Sequence, residues 1–333
     1  MNIKVTNGIA ETYTFEALAK SPTMMRDAYC NALISAAGAN ENVVALDADL
    51  SSAFGMSPFF KAFPDRAIQC GIAEANMVGI AAGMSAVGKI PFAHSFGCFT
   101  SRRACDQIMI SCAYAKLNVR LIGSDPGVMA AHNGGTHMPF EDMGVLRSIP
   151  KITLIDVTDP VMLDDLIAQL STDKYYGVYY LRFQRKSAKA IYAEGSTFEI
   201  GRGVTLRDGS DVTIISSGIM VAEALAAAET LAAEGISARV VDLFTWKPMD
   251  HELIAKCAAE TGAFVTAENH NIVGGLFAAV SESAARSHPV PIEPVGVFDE
   301  FGQVGSEDFL QEAYGLTAAK IVAAAKTAVS RKK

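Results

Sequence analysis

Long basic blocks are missing from this sequence. Its 28 Lys and Arg are outnumbered by 36 Asp and Glu, for a net charge of −8. Basic neighbours are confined to Arg102-Arg103, Arg185-Lys186 and the terminal Arg331-Lys332-Lys333. Nothing here can neutralise a row of backbone phosphates, which excludes nucleic acid as a partner class. Long apolar runs are missing as well: mean hydropathy is +0.23, but alanine supplies most of it, and no stretch approaches the roughly 20 residues of a spanning helix. The first residues carry Glu11 and Glu16 where a secretory leader has a basic start and an apolar stretch, so the chain reads as cytoplasmic. Its six cysteines form no C-x-x-C pair, which argues against a redox or zinc framework and for free thiols in a reducing compartment. Cys98, Cys105 and Cys112 recur every seven residues, the spacing of a helix face, and read as buried structural thiols.

What is present is a globular composition, 50% apolar and 19% charged over 333 residues, enough for about two domains with separate cores. Short β-branched runs alternate with alanine-rich stretches, as in α/β layers built on a mainly parallel sheet. Strands are expected at Val43–Asp47, Ile90–His94, Val119–Gly123, Ile152–Asp156 and Val178–Arg182, with helices from about Thr23, Ala73, Thr100 and Pro160. The pattern breaks after Arg185 and resumes with strands near Val212–Ser216, Ala238–Asp242, Phe264–Ala267 and Ile292–Gly296, and helices from Val221, His251, Gly275 and Thr317. The expected organisation is a loose arm over 1–22, a first domain over 23–186, a polar linker over 187–202 and a second domain over 203–333.

Chemistry-bearing residues concentrate in the first domain. His94, His132 and His137 lack the spacing of metal ligands, and no metal site is expected in this chain. The glycine-rich loop from Gly123 to His137 carries Asp125, His132, Asn133 and His137 after a strand, at the edge where parallel sheets bind ligands. Glu74 opens an otherwise apolar helix; it either complements the helix N-terminus or is a buried acid able to share a proton with a ring nitrogen. Phe96 and Phe99 read as core or as packing for a planar ligand. Arg26 opens a helix and Arg182 ends a strand, each a surface cation or an anion fork.

The runs Met25-Arg-Asp-Ala-Tyr29, Ala45-Leu-Asp-Ala-Asp-Leu50, Ile72-Ala-Glu-Ala-Asn-Met77, Phe96-x-x-Phe99, Arg103-Ala-Cys-Asp-Gln107, the Gly123 to His137 loop and Glu141-Asp to Pro150 together resemble the pyrimidine-binding domain of transketolases. Ile214-Ile-Ser-Ser-Gly218, Lys247-Pro-Met-Asp250 and Thr266-Ala-Glu-Asn-His270 before Gly274-Gly275 resemble the transketolase C-terminal domain. The resemblance implies two three-layer α/β domains and thiamine diphosphate as cofactor. The Gly-Asp-Gly and Asn-Asn strings that hold the diphosphate and Mg²⁺ in this family are absent from the chain. It therefore resembles the smaller subunit of a split transketolase, active only with a companion in an α2β2 assembly and transferring a two-carbon ketol unit between sugars that end in phosphate.

By position, the resemblance makes Glu74 the acid that hydrogen-bonds the aminopyrimidine and promotes its imino form. Phe96 and Phe99 become the flanking aromatics, although the segment after them runs one residue long against some members. Asp49 becomes an acidic neighbour of the cofactor, Arg26 and Arg182 the phosphate-gripping arginines, and His137 a polar loop position. Asp125 stands where the family usually has histidine and Asn133 where it has an aspartate reading the donor hydroxyl, so sugar identity stays open. The other readings are the β subunit of a 2-oxo acid dehydrogenase first component and a non-catalytic homologue of this half.

Overall fold

The computed structural model describes residues 2–11 and 18–332. Their strands form two large sheets and one small hairpin. The first sheet runs in the order Thr245–Lys247, Ile152–Asp156, Val178–Phe183, Val119–Ser124, Ile90–Phe96, Val43–Asp47, Ala67–Gln69. All pairs are parallel except the one made by Thr245–Lys247. Its four central strands are buried at every position, which explains why they read as mostly apolar runs and not as alternating ones. The second sheet runs Ile292–Val297, Phe264–Asn271, Val212–Ser216, Ala238–Asp242, Val204–Arg207, with only the last strand antiparallel. The expected class, two α/β domains with mainly parallel sheets, is the one found.

Local chemistry sets the helix starts. Asp159 accepts the N–H groups of Val161 and Met162 at 3.1 and 3.0 Å, and Pro160 takes the first helical position of Pro160–Leu170, where no amide donor is needed. Asp250 caps His251–Thr261 in the same way, and Gly262 ends that helix in the left-handed conformation. These caps keep the connections short and leave the loops after the first-sheet strands at one edge.

Three expectations need correction. Thr245–Lys247 was no expected strand, and it joins the first sheet although it lies within the second domain's sequence; Asp156 N–H donates to Phe244 O at 2.8 Å as it does so. The helix expected from Thr100 winds instead as two π-helical turns, Phe99–Arg103 and Ile108–Tyr114, about a short α segment at Cys105–Gln107. Such turns are wider than α-helical ones and appear mostly as short interruptions of α-helices. The arm is not loose over 2–11: Val5–Thr6 and Ile9–Ala10 form a hairpin, and Ile3 and Val5 share backbone hydrogen bonds with Ile191, Ala193 and Thr197. Residues 12–17 of the arm lie outside the described residues. Cys98 and Cys112 are buried as expected, which pushes both thiols up to about 12, whereas Cys105 is half-exposed.

The two domains meet through buried polar groups. Arg182 is wholly buried: its Nε and Nη2 each donate to Asp156 at 3.0 Å, its Nη1 to Asp142 at 2.9 Å, and its guanidinium lies 5.0 Å from the Trp246 ring centre. Ser217 donates to Asp156 at 2.7 Å and receives the indole N–H of Trp246 at 2.9 Å. Gly218, at φ +55°, lets the Asp156 carboxylate approach; a Cβ there would lie 2.7 Å from it. Nearby, Asp242 accepts from Thr158 Oγ1 at 2.6 Å and Tyr192 Oη at 2.7 Å.

Burial pushes the Asp242 carboxyl up to about 7, against the two hydrogen bonds and with help from Asp156 and Asp159. The folded state therefore holds this proton more tightly than the unfolded chain, where an aspartate titrates near about 4. Its contribution to stability is complete below that value and is lost as pH rises through about 7. Asp242→Asn is expected to remove this slope. Urea unfolding across pH 4 to 7 should show wild type losing stability relative to the variant as pH rises, and parallel profiles would contradict the account.

Candidate active site

The strands Val43–Asp47, Ile90–Phe96, Val119–Ser124 and Val178–Phe183 all end at the same edge of the first sheet, so their following loops converge there. Glu74, the first residue of the helix Glu74–Ala86, is 3% exposed. Arg103 Nη1 donates to Glu74 Oε2 at 2.8 Å while its guanidinium lies 3.9 Å from the Phe99 ring centre. Glu74 is buried, and its carboxyl is one half of an ion pair whose cation is half-exposed.

Phe99 continues the cluster. Its ring meets Phe96 edge-on at 5.9 Å, and His137 stands edge-on to both, at 5.1 and 5.2 Å. Phe96 is buried and Phe99 half-buried, so the pair offers one partly open aromatic face next to a carboxylic acid. On the far side, Arg185 lies 4.8 Å over Phe96 and its Nε donates to Asp125 at 2.5 Å. The Arg185 backbone N–H reaches the other Asp125 oxygen at 2.9 Å. Burial pushes the Asp125 carboxyl up and Arg185 opposes it. Side-chain contacts therefore run without a gap from Glu74 through Arg103, Phe99, His137, Phe96 and Arg185 to Asp125.

A cavity of about 480 Å³ opens beside this chain, lined by Arg26, Asp125, His132, Asn133, Arg185 and Lys186 among others. A larger hollow of about 1070 Å³ beside Gly8 and Arg239 is lined by none of the expected site residues. In the smaller cavity Arg26 Nη1 donates to Ala53 O at 3.2 Å, and its buried Nε has no hydrogen-bond partner among the described residues. His132 and Asn133 are exposed at the mouth. Between them and Asp125 the turn Gly127–Asn133 contains Ala131 at φ +44°, ψ −114°, a backbone state that persists only where its surroundings enforce it.

The enforcing contacts come from the second domain. Asn269, buried at the end of the Phe264–Asn271 strand, accepts the Val128 N–H at 3.0 Å and donates to Pro126 O at 2.8 Å. Gly127 sits under it at φ +50°, where a Cβ would fall 2.0 Å from the Asn269 amide oxygen. Glu268 accepts the Leu276 and Phe277 N–H groups at 2.5 and 2.8 Å, and burial pushes its carboxyl up to about 8. His270 Nε2 receives the Gly144 N–H at 3.2 Å, so Nδ1 carries the proton toward Asn271 O, and burial pulls the ring down to about 4. Thr266-Ala-Glu-Asn-His270 is thus a joint between the domains.

Of the expected residues, Glu74, Phe96, Phe99 and His137 come together in one cluster, and Arg26, Asp125 and Asn133 share the adjoining cavity. Asp49 is apart: it is exposed at φ +63°, held through its N–H to Gln69 Oε1 at 2.7 Å. Arg182 is the correction. With no exposed surface and two carboxylates filling its fork, it presents nothing to a ligand, and Arg185 three residues on lines the cavity instead. An arginine inside a strand buried on both faces must find carboxylates in the core, so the first cation past the strand end was the better candidate. Arg103 and Asn269 were also missed, because their roles depend on contacts distant in sequence.

Comparison with known proteins agrees with this architecture. Residues 21–190 match the family model of the transketolase pyrimidine binding domain, and residues 201–321 match that of the transketolase C-terminal domain. The 6-deoxy-6-sulfo-D-fructose transketolase subunit SqwH of Clostridium sp. (strain MSTE9) is 48% identical over 308 residues, 92% of this chain and 95% of that protein. An apulose-4-phosphate transketolase subunit of Phocaeicola vulgatus is 34% identical over 301 residues, 90% of this chain and 95% of that protein. A solved structure described as a split gene transketolase, inactive beta4 tetramer, superposes with a TM-score of 0.87 at 42% identity, covering 93% of this chain and 99% of that one.

Removing the Asn269 side chain would leave the Val128 N–H and the Pro126 carbonyl buried and unpaired, at about 1–3 kcal/mol for such a group. In Asn269→Ala, amide exchange at Val128 should accelerate by roughly 10-fold or more, each tenfold corresponding to about 1.4 kcal/mol, while amides of Val178–Phe183 keep their protection. Unchanged exchange at Val128 would mean the loop is held by something else.

Proposed function

This chain belongs to the transketolase family, and we propose that it works as the pyrimidine-binding half of a two-chain enzyme that moves a two-carbon ketol unit from a ketose to an aldose. The observation that carries this reading is a buried acid, Glu74, beside the half-open face of Phe99 at the carboxyl edge of a parallel sheet. These residues fit the pyrimidine half of thiamine diphosphate: Glu74 Oε1 makes no hydrogen bond among the described residues and is free to hold a proton at the ring nitrogen, while Phe96, Phe99 and His137 supply the aromatic wall.

When bound, thiamine diphosphate supplies the carbon centre through which the C2–C3 bond of the ketose is broken. The donor leaves as an aldose two carbons shorter, and the ketol unit forms a new bond to C1 of the acceptor aldose. The chain's own part is to hold the Glu74 proton, orient the sugar hydroxyls with Asn133 and His137, and receive its charged end between Arg26 and Arg185. The chain lacks the Gly-Asp-Gly and Asn-Asn strings, so the diphosphate and Mg²⁺ are assigned to a companion subunit, in an α2β2 assembly located in the cytoplasm. The split-gene relative is itself described as an inactive β4 tetramer, which is the behaviour expected of this half alone. The reading as a 2-oxo acid dehydrogenase subunit is not favoured, since the relatives are transketolase subunits.

The experiment is to purify the chain with its companion and measure ketol transfer from a panel of ketoses. Glu74→Gln should leave the circular dichroism of the complex unchanged while reducing turnover by roughly 10²-fold or more, the scale of a lost acid–base contribution. Near-normal turnover in that variant would refute the assignment.

A further inference from the structure

We propose that Arg103 is a built-in plug, holding the place of the cofactor's aminopyrimidine until the cofactor displaces it; the proposal rests on the reading of this site as a pyrimidine-binding one. Two points define that place, the ring face of Phe99 and the carboxylate of Glu74. In the structure one side chain holds both. The Arg103 guanidinium carbon lies 3.9 Å from the Phe99 ring centre, and Nη1 donates to Glu74 Oε2 at 2.8 Å. The face of Phe99 that Arg103 covers is therefore the one turned toward Glu74.

A flat ring stacked on Phe99 needs a layer of its own, roughly 3.5–4 Å from the phenyl carbons. The guanidinium already fills that layer. A pyrimidine reaching Glu74 across this face and Arg103 in its present position exclude each other. The likeness is chemical as well as spatial. A guanidinium is planar, carries N–H donors in its plane and stacks on aromatic faces. An aminopyrimidine protonated at a ring nitrogen has the same three properties.

The plug also supplies what Glu74 lacks before a cofactor arrives. The carboxyl is 3% exposed, and the one hydrogen bond it accepts among the described residues comes from Arg103. A buried carboxylate without a partner is costly, so a chain that folds ahead of its cofactor needs a substitute donor there. This substitute is easily withdrawn. Arg103 is 47% exposed, and water screens a pair with so open a cation. It closes the turn Phe99–Arg103, and Asp106, exposed three residues further on, offers the released cation a carboxylate at the surface. Where a plug must leave before a ligand enters, the apparent dissociation constant is the intrinsic one divided by the unplugged fraction. Arg103 therefore weakens cofactor binding although it lies within the site.

The test is calorimetric titration of thiamine diphosphate, with Mg²⁺ in excess, into the cofactor-stripped complex of this chain with its companion. Arg103→Ala should bind thiamine diphosphate roughly 10-fold more tightly than wild type, the scale of one half-exposed ion pair and one cation–π contact together. Arg103→Gln, which keeps a donor for Glu74 without the charge, should shift the affinity the same way by less, and it decides the matter if the alanine variant does not assemble. Crystal structures of the wild-type complex should show the guanidinium on Phe99 when thiamine diphosphate is absent and off it when thiamine diphosphate is bound. Weaker or unchanged binding in the variants would overturn the proposal and leave the pyrimidine-binding reading intact, since Arg103 would then be a fixed part of the site or out of the cofactor's way. No binding of thiamine diphosphate to wild type or to either variant would remove that reading and the proposal with it.

Discussion

A guanidinium with no exposed surface is tolerable only if carboxylates and hydrogen bonds replace its water, and at Arg182 they come from three segments. Asp156 grips it from the neighbouring strand, Asp142 from the helix Asp142–Arg147, and Trp246 lies across it from the strand that the second domain lends to the first sheet. The carboxylates are themselves satisfied from outside: Tyr180 Oη donates to Asp142 at 2.8 Å, and Ser217, at the head of the helix Met220–Ala233, donates to Asp156. Burial works against the Arg182 charge, yet the two carboxylates hold its proton more tightly than usual. The carboxyl edge of the second sheet, where an α/β domain ordinarily receives a ligand, is filled by the acidic edge of the first domain.

The site depends on that docking. With the second sheet seated on Asp156, the end of Phe264–Asn271 arrives over the loop after Val119–Ser124, and Asn269 can fasten Pro126 and Val128. That loop places Asp125 against Arg185 and carries His132 and Asn133 to the cavity mouth. The second domain thus shapes the cavity beside Asp125 without lining it. The cluster from Glu74 to Phe96 belongs to the first domain alone.

Much of this was legible in the sequence because it follows from local pattern. Parallel strands buried on both faces must read as β-branched runs, and Val43–Asp47, Ile152–Asp156, Val212–Ser216 and Ala238–Asp242 begin and end where those runs do. Motifs anchored to strand ends located Glu74, Phe96, Phe99 and Asp125. Less legible were features decided between distant segments. Thr245-Trp-Lys247 is too short to declare itself a strand and becomes one only by pairing across the domain joint. Arg182 and Arg185 look alike in a linear reading, and their fates differ because one precedes the strand's end and the other follows it. The π-helical turn after Phe99, which ends at Arg103 beside Glu74, also gave no local signal.

The claim that Arg182 is the internal tie between the domains, and not a grip on substrate, is open to direct measurement. Guanidinium chloride unfolding of Arg182→Met should show a loss of about 3–5 kcal/mol, the cost of leaving buried carboxylates without their cation. Full stability in that variant, together with weakened binding of sugars only when they carry a charged end, would contradict it.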